Sequence, residues 1–475
     1  MLFLPALILG PSLLFNEVSA TTYKVAIVGA GAGGSSASYW LSLAKQRAPA
    51  GTNVEITVYE QDNRVGGRKS RLFTTVYPYN NTAHAPIELG ASIFTTGNRN
   101  MVRAASEFGY QLVTFGGVVP GTGIWDGAKF VWRTTDNSTC GIWFILLGFR
   151  SNLSWYRIVP FLTSFAKSYT PSFPKFPTVK DYASAVDYTS LLPYTLKSYL
   201  TQGGINLNWI NDFMTGSTRF NYGQDVGSIS AVPGMASLSA GTSYSVKDGN
   251  FKVFEQFLSR SGASLQLGTT VNCIEKDKNA KYNVKTNKGT ATYDAVIIAA
   301  PLPLTNIKFV NTATQPSSFP KVDYLHLHVT LLTTTTPSLL PTYFKANNSS
   351  ALPGTILTTA EYGSKPQFNS IRYQATINKN GKTEYVVKIF SPAKISDTTL
   401  ATLFGKNSIG WVLRKEQLTH AHHFAASLFS TMETEIISSR NVVDLLSTEL
   451  IGSGLCGPEG PKGPATDSYV LGWDC

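Results

Sequence analysis

The sequence predicts an α/β fold: a Rossmann-type dinucleotide-binding domain carrying an inserted α+β domain. Three observations predict it. Tyr23-Lys24-Val25-Ala26-Ile27-Val28 is a short β-branched run of the kind used by buried parallel strands. It leads straight into Gly29-Ala30-Gly31-Ala32-Gly33-Gly34, a G-x-G-x-x-G match through Gly29, Gly31 and Gly34. Val54 to Tyr59 then alternates as a second strand and ends at Glu60.

Each element of this unit has a physical task. Gly29 permits the tight turn, Gly31 lets a pyrophosphate approach the backbone, and Gly34 lets the helix pack close to the strand. Ala30 lies within the same cradle. The helix runs from Ser35 through Gln46, with Ala37, Trp40, Leu41 and Ala44 on one face. Its unpaired N–H groups and its dipole face the phosphates. Glu60 accepts from the hydroxyls of an adenosine ribose. Arg64 and Arg68 lie a few residues on, so the carboxylate favours, without proving, an unphosphorylated ribose.

Composition narrows the function classes. The chain has 475 residues, of which 15% are charged and 43% hydrophobic, against about 25% charged in an average soluble protein. Disorder is excluded, and the length allows about two or three domains. The net charge of +11 is dilute. The longest basic cluster, Arg64 to Arg71, is interrupted by two glycines, so no nucleic-acid partner is expected. So few charges ask for another source of surface polarity.

The N-terminus and the sequons point to the secretory pathway. Leu2 to Phe15 is almost wholly apolar, and Val18-Ser19-Ala20 fits a cleavage site, so residues 1–20 are expected to be a signal peptide. The alternative is a membrane anchor. Pro5 and Pro11 argue against it, as does a stretch shorter than the ~20 residues of a bilayer span. Glycosylation is expected at Asn80, Asn137, Asn152, Asn347 and Asn348. The destination is a lysosome- or vacuole-like compartment or the exterior. Four cysteines, Cys140, Cys273, Cys456 and Cys475, allow up to two disulfides in three connectivities. Cys456 and Cys475, which bracket a Gly/Pro-rich tail, are the first choice. No C-x-x-C pair is present, and no metal site is expected.

Two further pieces carry a family resemblance: Val65-Gly66-Gly67-Arg68, and Glu88-Leu89-Gly90-Ala91-Ser92-Ile93-Phe94. With the glycine turn they resemble the N-terminal half of the amine-oxidase-like flavoproteins. The resemblance implies FAD, with Gly67 and Arg68 at its phosphates and Gly90, Ala91 and Ser92 close to the isoalloxazine. Arg219-Phe220-Asn221-Tyr222-Gly223-Gln224 is similar to the R-x-N-Y-G-Q run of the prenylcysteine oxidases (prenylcysteine lyases). Tyr244 to Asn250 resembles that family's W-S-V-x-G-G-N, with Tyr244 in place of Trp and Asp248 in place of the first Gly. Ser430-Thr431-Met432-Glu433 through Asn441 is similar to its S-x-M-E…N helix, which places Glu433 at the flavin. The resemblance covers most of the chain, with gaps around 125–215 and 340–415.

It also implies a division of the chain. Strands at Val271–Glu275, Tyr282–Thr286 and Tyr293–Ala300 return to the dinucleotide unit, with Val271 near the adenine. Residues 21–100, 216–304 and 411–455 then form a discontinuous FAD-binding domain. Residues 101–215 and 305–410 form the substrate domain, and 456–475 a tail. Gly141 to Phe149 reads as a core helix or as an apolar entrance. Tyr324 to Thr330 alternates as a strand, so His326 and His328 share a face.

The implied activity is oxidative cleavage of a prenylcysteine. Hydride leaves the allylic carbon bonded to sulfur, water adds, and the hemithioacetal releases cysteine and a prenyl aldehyde. The implied partners are a small apolar thioether and molecular oxygen, with hydrogen peroxide as product. Transient contact with a membrane surface and the oligomeric state stay open. Tyr222, His326 and His328 are the candidates for a base or water-positioning group, and each also reads as a structural residue. Two rival readings are a flavin oxidase of the same fold acting on an amine or another thioether, and a secreted binder of apolar ligands.

Overall fold

The computed structural model describes residues 21–66, 75–134, 152–239, 241–313, 324–347, 351–361, 363, 365–420 and 431–475. Outside them lie the expected signal peptide, Gly67, Arg68, Asn137, Cys140, the apolar run 141–149, Asn348 and Ser430. Of Asn152 only the backbone is described.

The chain opens with β1 (Thr21–Val28), α1 (Ala32–Arg47) and β2 (Thr52–Tyr59), followed by α2 (Arg99–Glu107). A helical insert includes α3 (Thr215–Tyr222). Then come α4 (Phe251–Ser261), β3 (Ser264–Gln266), β4 (Val271–Lys276) and β5 (Ala295–Ile298). The strands of a second sheet follow: β6 (Tyr324–Thr334), β7 (Thr355–Thr358), β8 (Ser370–Lys379), β9 (Lys382–Ser391) and β10 (Ile409–His420). The last long helix is α5 (Met432–Ile451).

The first sheet has the order β3-β2-β1-β5, and all its pairs are parallel. Both faces are covered, which is why β1 is apolar on both sides. Val25 and Ile27 pack on α1, α4 and α5. Ala26 and Val28 pack with Val271, Ile274 and Val284 of the small sheet around β4. In α1 the expected face of Ala37, Trp40, Leu41 and Ala44 is buried, and so are Ser35, Ser36, Ser38 and Ser42. Each serine hydroxyl donates to a carbonyl one turn back, so burying it leaves no donor unmet. This lets α1 pack on more than its apolar face, and Ser36 meets Ser439 of α5 at 2.7 Å.

A seven-stranded sheet has the order β10-β6-β9-β8-β7, then Thr122–Trp125 and Phe130–Arg133. The two inserts join within it, because β7 pairs with Thr122–Trp125. The expected boundary at residue 411 is corrected here: it cuts β10, which pairs with β6 along its length and belongs to this sheet. One face of the sheet, through Val329, Leu331 and Val386, receives Ile87 and Leu89. The other, through Leu332, Val387, Ile389 and Ile371, packs on Phe344 and on Leu400, Leu403 and Phe404. Cys456 and Cys475 form a disulfide. The tail they bracket is docked, with Tyr469, Val470 and Leu471 buried.

Candidate functional site

The glycine turn sits where β1 meets α1. Gly29 has φ +105°, and its N–H donates to Tyr59 O at 2.7 Å. A Cβ at Gly34 would lie 1.8 Å from Gly29 O, so helix and turn touch backbone to backbone. Gly31 caps α1 without a side-chain acceptor, and the first turn of the helix carries no acid. Such a helix start is a ready anion site. Glu60, buried at the end of β2, accepts from Ala30 N (2.8 Å) and Asp62 N (2.9 Å). Burial raises its carboxyl above the usual carboxylate range. Thr269 N donates to Glu60 O, which sets the start of β4, with Val271 buried, beside it. The structure thus brings together Gly29, Ala30, Gly31, Gly34, Glu60 and Val271. Gly66 N donates to Ala30 O, which ties the segment leading to Gly67 and Arg68 to the same turn. A glycine cradle that any Cβ would fill, an uncapped helix start and a carboxylate at the second strand fit the adenosine diphosphate half of FAD.

The second cluster forms around residues 88–92. Asn250 holds it: its N–H donates to Glu88 Oε1 (2.7 Å), and its Nδ2 donates to Ala91 O (2.8 Å). Ala91 has φ +48°, strained for a residue with a Cβ. Asp248 has φ +66°; it stands where the family pattern carries Gly, and Asp is one of the few side chains tolerated there. Lys388 reaches across from β9, with Nζ donating to Glu88 O (2.8 Å) and Ser92 Oγ (2.9 Å). Burial pushes the Glu88 carboxyl up to about 7 and the Lys388 ammonium down to about 8. The sequence reading missed Lys388. The available signal was a lysine inside the apolar run Tyr385-Val386-Val387-Lys388-Ile389-Phe390.

The remaining candidates fall elsewhere. In R-x-N-Y-G-Q, Arg219 donates to Thr358 Oγ1 (2.8 Å) and Asp225 (2.7 Å), and Asn221 donates to Ser237. Gly223 is left-handed at φ +70° and packs on Leu327. This motif clamps α3 to the sheet. Tyr222 packs beside the core of the helical insert, and burial raises its hydroxyl pKa well above its ordinary value. His326 and His328 do share a face, but it is the face opposite the one that receives residues 87–89. Both ring nitrogens turn to Glu416 there, and His326 is exposed. Glu433 spends its carboxylate on Asn100 N and Nδ2, Met101 N and Tyr169 OH. It thereby caps the start of α2.

The sequence pattern of the prenylcysteine lyase family matches residues 155–427, more than half of the chain. The chain belongs to that family. A NAD(P)-binding Rossmann-like domain matches residues 27–108. The farnesylcysteine lyase of Arabidopsis thaliana is 29% identical over 462 residues, covering 89% of this chain and 87% of that one. Human prenylcysteine oxidase 1 is 28% identical over 447 residues, covering 86% and 81%. Among solved structures, putrescine oxidase bound to putrescine superposes with a TM-score of 0.57 at 14% identity, covering 90% of this chain and 99% of that one. Cyclohexylamine oxidase from Brevibacterium oxydans gives 0.56 at 13%, with 90% and 99% covered. These two likenesses show the fold alone. With its glycine cradle, this member of the prenylcysteine lyase family is an FAD-dependent oxidoreductase.

Proposed function

We propose that the protein oxidises the thioether of a prenylcysteine, with oxygen as terminal acceptor, to give cysteine, a prenyl aldehyde and hydrogen peroxide. The observation that carries this is the family match over residues 155–427, the segment that supplies α3 and most of the seven-stranded sheet facing residues 87–92. When bound, FAD supplies the two-electron acceptor. The chain's own residues do the rest. The glycine turn and the start of α1 hold the pyrophosphate, and Glu60 fixes the turn. Lys388 holds the loop at Glu88 and Ser92, and Asn250 holds it at Glu88 and Ala91. Val329, Leu331 and Val386 keep water from the back of that loop.

The substrate's reactive C–H bond lies on the carbon between sulfur and the alkene, and both stabilise positive charge there. Once hydride is lost, water adds to that carbon and gives up a proton. The carbon–sulfur bond then breaks, returning the electron pair to sulfur and leaving the aldehyde. The first step needs no strong base. That accords with a Tyr222 hydroxyl held protonated and with histidines on the far face of the sheet. For the compartment the proposal is the secretory pathway. The Cys456–Cys475 disulfide and the exposed Asn80 and Asn347 fit an oxidising, glycosylating route.

The test is to incubate FAD-loaded protein with farnesylcysteine and assay peroxide and farnesal, after recording the flavin band on anaerobic addition. Bleaching followed by both products is expected. A loaded protein that gives neither product overturns the assignment.

A further inference from the structure

The face of the seven-stranded sheet that receives residues 87–89 carries two cations side by side. Arg372 on β8 and Lys388 on β9 are direct partners in the strand register. Lys388 is accounted for by Glu88 O and Ser92 Oγ. Arg372 is not. Among the described residues no hydrogen bond or ion pair to its guanidinium is found, and its Nε is buried without a partner. The group lies over the ring of Phe115, 4.3 Å from its centroid, with the Phe220 ring at 5.9 Å. Gly117 flanks it: a Cβ there would lie 3.4 Å from Nε, so the missing side chain keeps room beside the guanidinium.

Arg372 is half-buried, its Nε is enclosed, and this partial loss of water pushes the guanidinium down to about 10 while leaving it charged at neutral pH, so a neighbouring anion would stabilise it. The nearby Phe115 ring restrains the guanidinium, whose fork of donors suits two-point pairing with a planar anion. The anion it lacks matches one that the proposed substrate carries. A prenylcysteine has an α-carboxylate separated from its sulfur by two carbons. Adjacent strands lie about 4.8 Å apart, so a carboxylate at Arg372 sits one strand beyond Lys388 and the loop it holds.

We infer that Arg372 anchors the α-carboxylate of the cysteinyl end of the substrate and so determines specificity and orientation. The inference rests on the proposed function for its substrate class. The test compares farnesylcysteine with S-farnesylcysteamine, which lacks the carboxylate. It uses wild type, Arg372→Met and Arg372→Lys, all purified with equal flavin content. Dissociation constants come from ligand-induced changes in the flavin spectrum, and anaerobic bleaching is followed separately.

Wild type is expected to prefer the carboxylate roughly 10- to 100-fold. Arg372→Met should lose that preference while binding the cysteamine as before, and Arg372→Lys should fall between. Equal binding of the two ligands by wild type overturns the inference. So does equal weakening of both by Arg372→Met, or retention of the preference by that variant. A wild type that binds with the preference but releases no farnesal overturns the reaction and upholds the anchor. One that binds neither ligand overturns both.

Discussion

Gly34 is the position with the least freedom in the cradle. Its missing Cβ would overlap Gly29 O at 1.8 Å, whereas a Cβ at Gly33 meets only Glu435 Oε2 at 3.4 Å and Ala299 Cβ at 3.8 Å. Gly34→Ala is therefore expected to purify without its flavin band and to lose about 3 kcal/mol or more of unfolding free energy. Gly33→Ala should stay yellow and within about 1 kcal/mol of wild type. Visible spectra and urea titrations of the two variants check the contrast. The constraint at Gly34 is local, since turn and helix start are neighbours in sequence, and that is why a run of six residues was enough to read it. Lys388 and Arg372 were not legible in that way. What makes them notable is what stands opposite them, and Glu88 is 300 residues from Lys388.

At the scale of elements, the loop at 87–92 and β9 each contribute a buried titratable group, Glu88 and Lys388. The Glu88 carboxyl titrates near 7 in the fold, against an ordinary value of 4.5. The folded state therefore holds an extra proton between those values. Its contribution to stability is fully present below about pH 4.5 and is lost as pH rises through about 7. Lys388, lowered to about 8, stays charged across that window and changes stability only above it, where stability rises with pH. Glu88→Gln keeps an acceptor for Asn250 N but cannot titrate. The stability difference between wild type and this variant should shift against wild type by on the order of 2 kcal/mol between about pH 5 and pH 7.5. Urea midpoints at the two pH values measure it. The same scale explains two partial readings of the sequence. Alternation placed His326 and His328 on one face of a strand, but it cannot say which neighbour each face meets. Leu327 and Val329 took the face toward Gly223 and the loop. Likewise the pattern around Glu433 correctly marked a helix start, while its carboxylate went to α2, a partner the pattern does not contain.

At the scale of the whole molecule, the tail is a clamp on α1. Arg47 donates to Leu455 O, Gly472 O and Trp473 O, and Trp473 packs edge-on against Trp40 at 5.3 Å. Cysteines 19 positions apart close the clamp. Reduction, or Cys456→Ser, is expected to cost about 2–4 kcal/mol, read as a lowered urea midpoint in the variant and in reduced wild type alike. The α/β class and the segments of the dinucleotide unit could be read from the sequence because strands and glycines announce themselves locally. The seven-stranded sheet could not, because it is assembled from both inserts. The pairing of Ser36 with Ser439 has a temporal side. These residues are 403 positions apart, and β1 also waits for β5. At about 5–20 residues per second of synthesis, the glycine turn is made roughly 20 to 80 seconds before its covering helix exists. The glycine turn therefore spends that interval without the helix that packs against α1. Until β5 is made, the free edge of β1 must be kept from pairing with anything else.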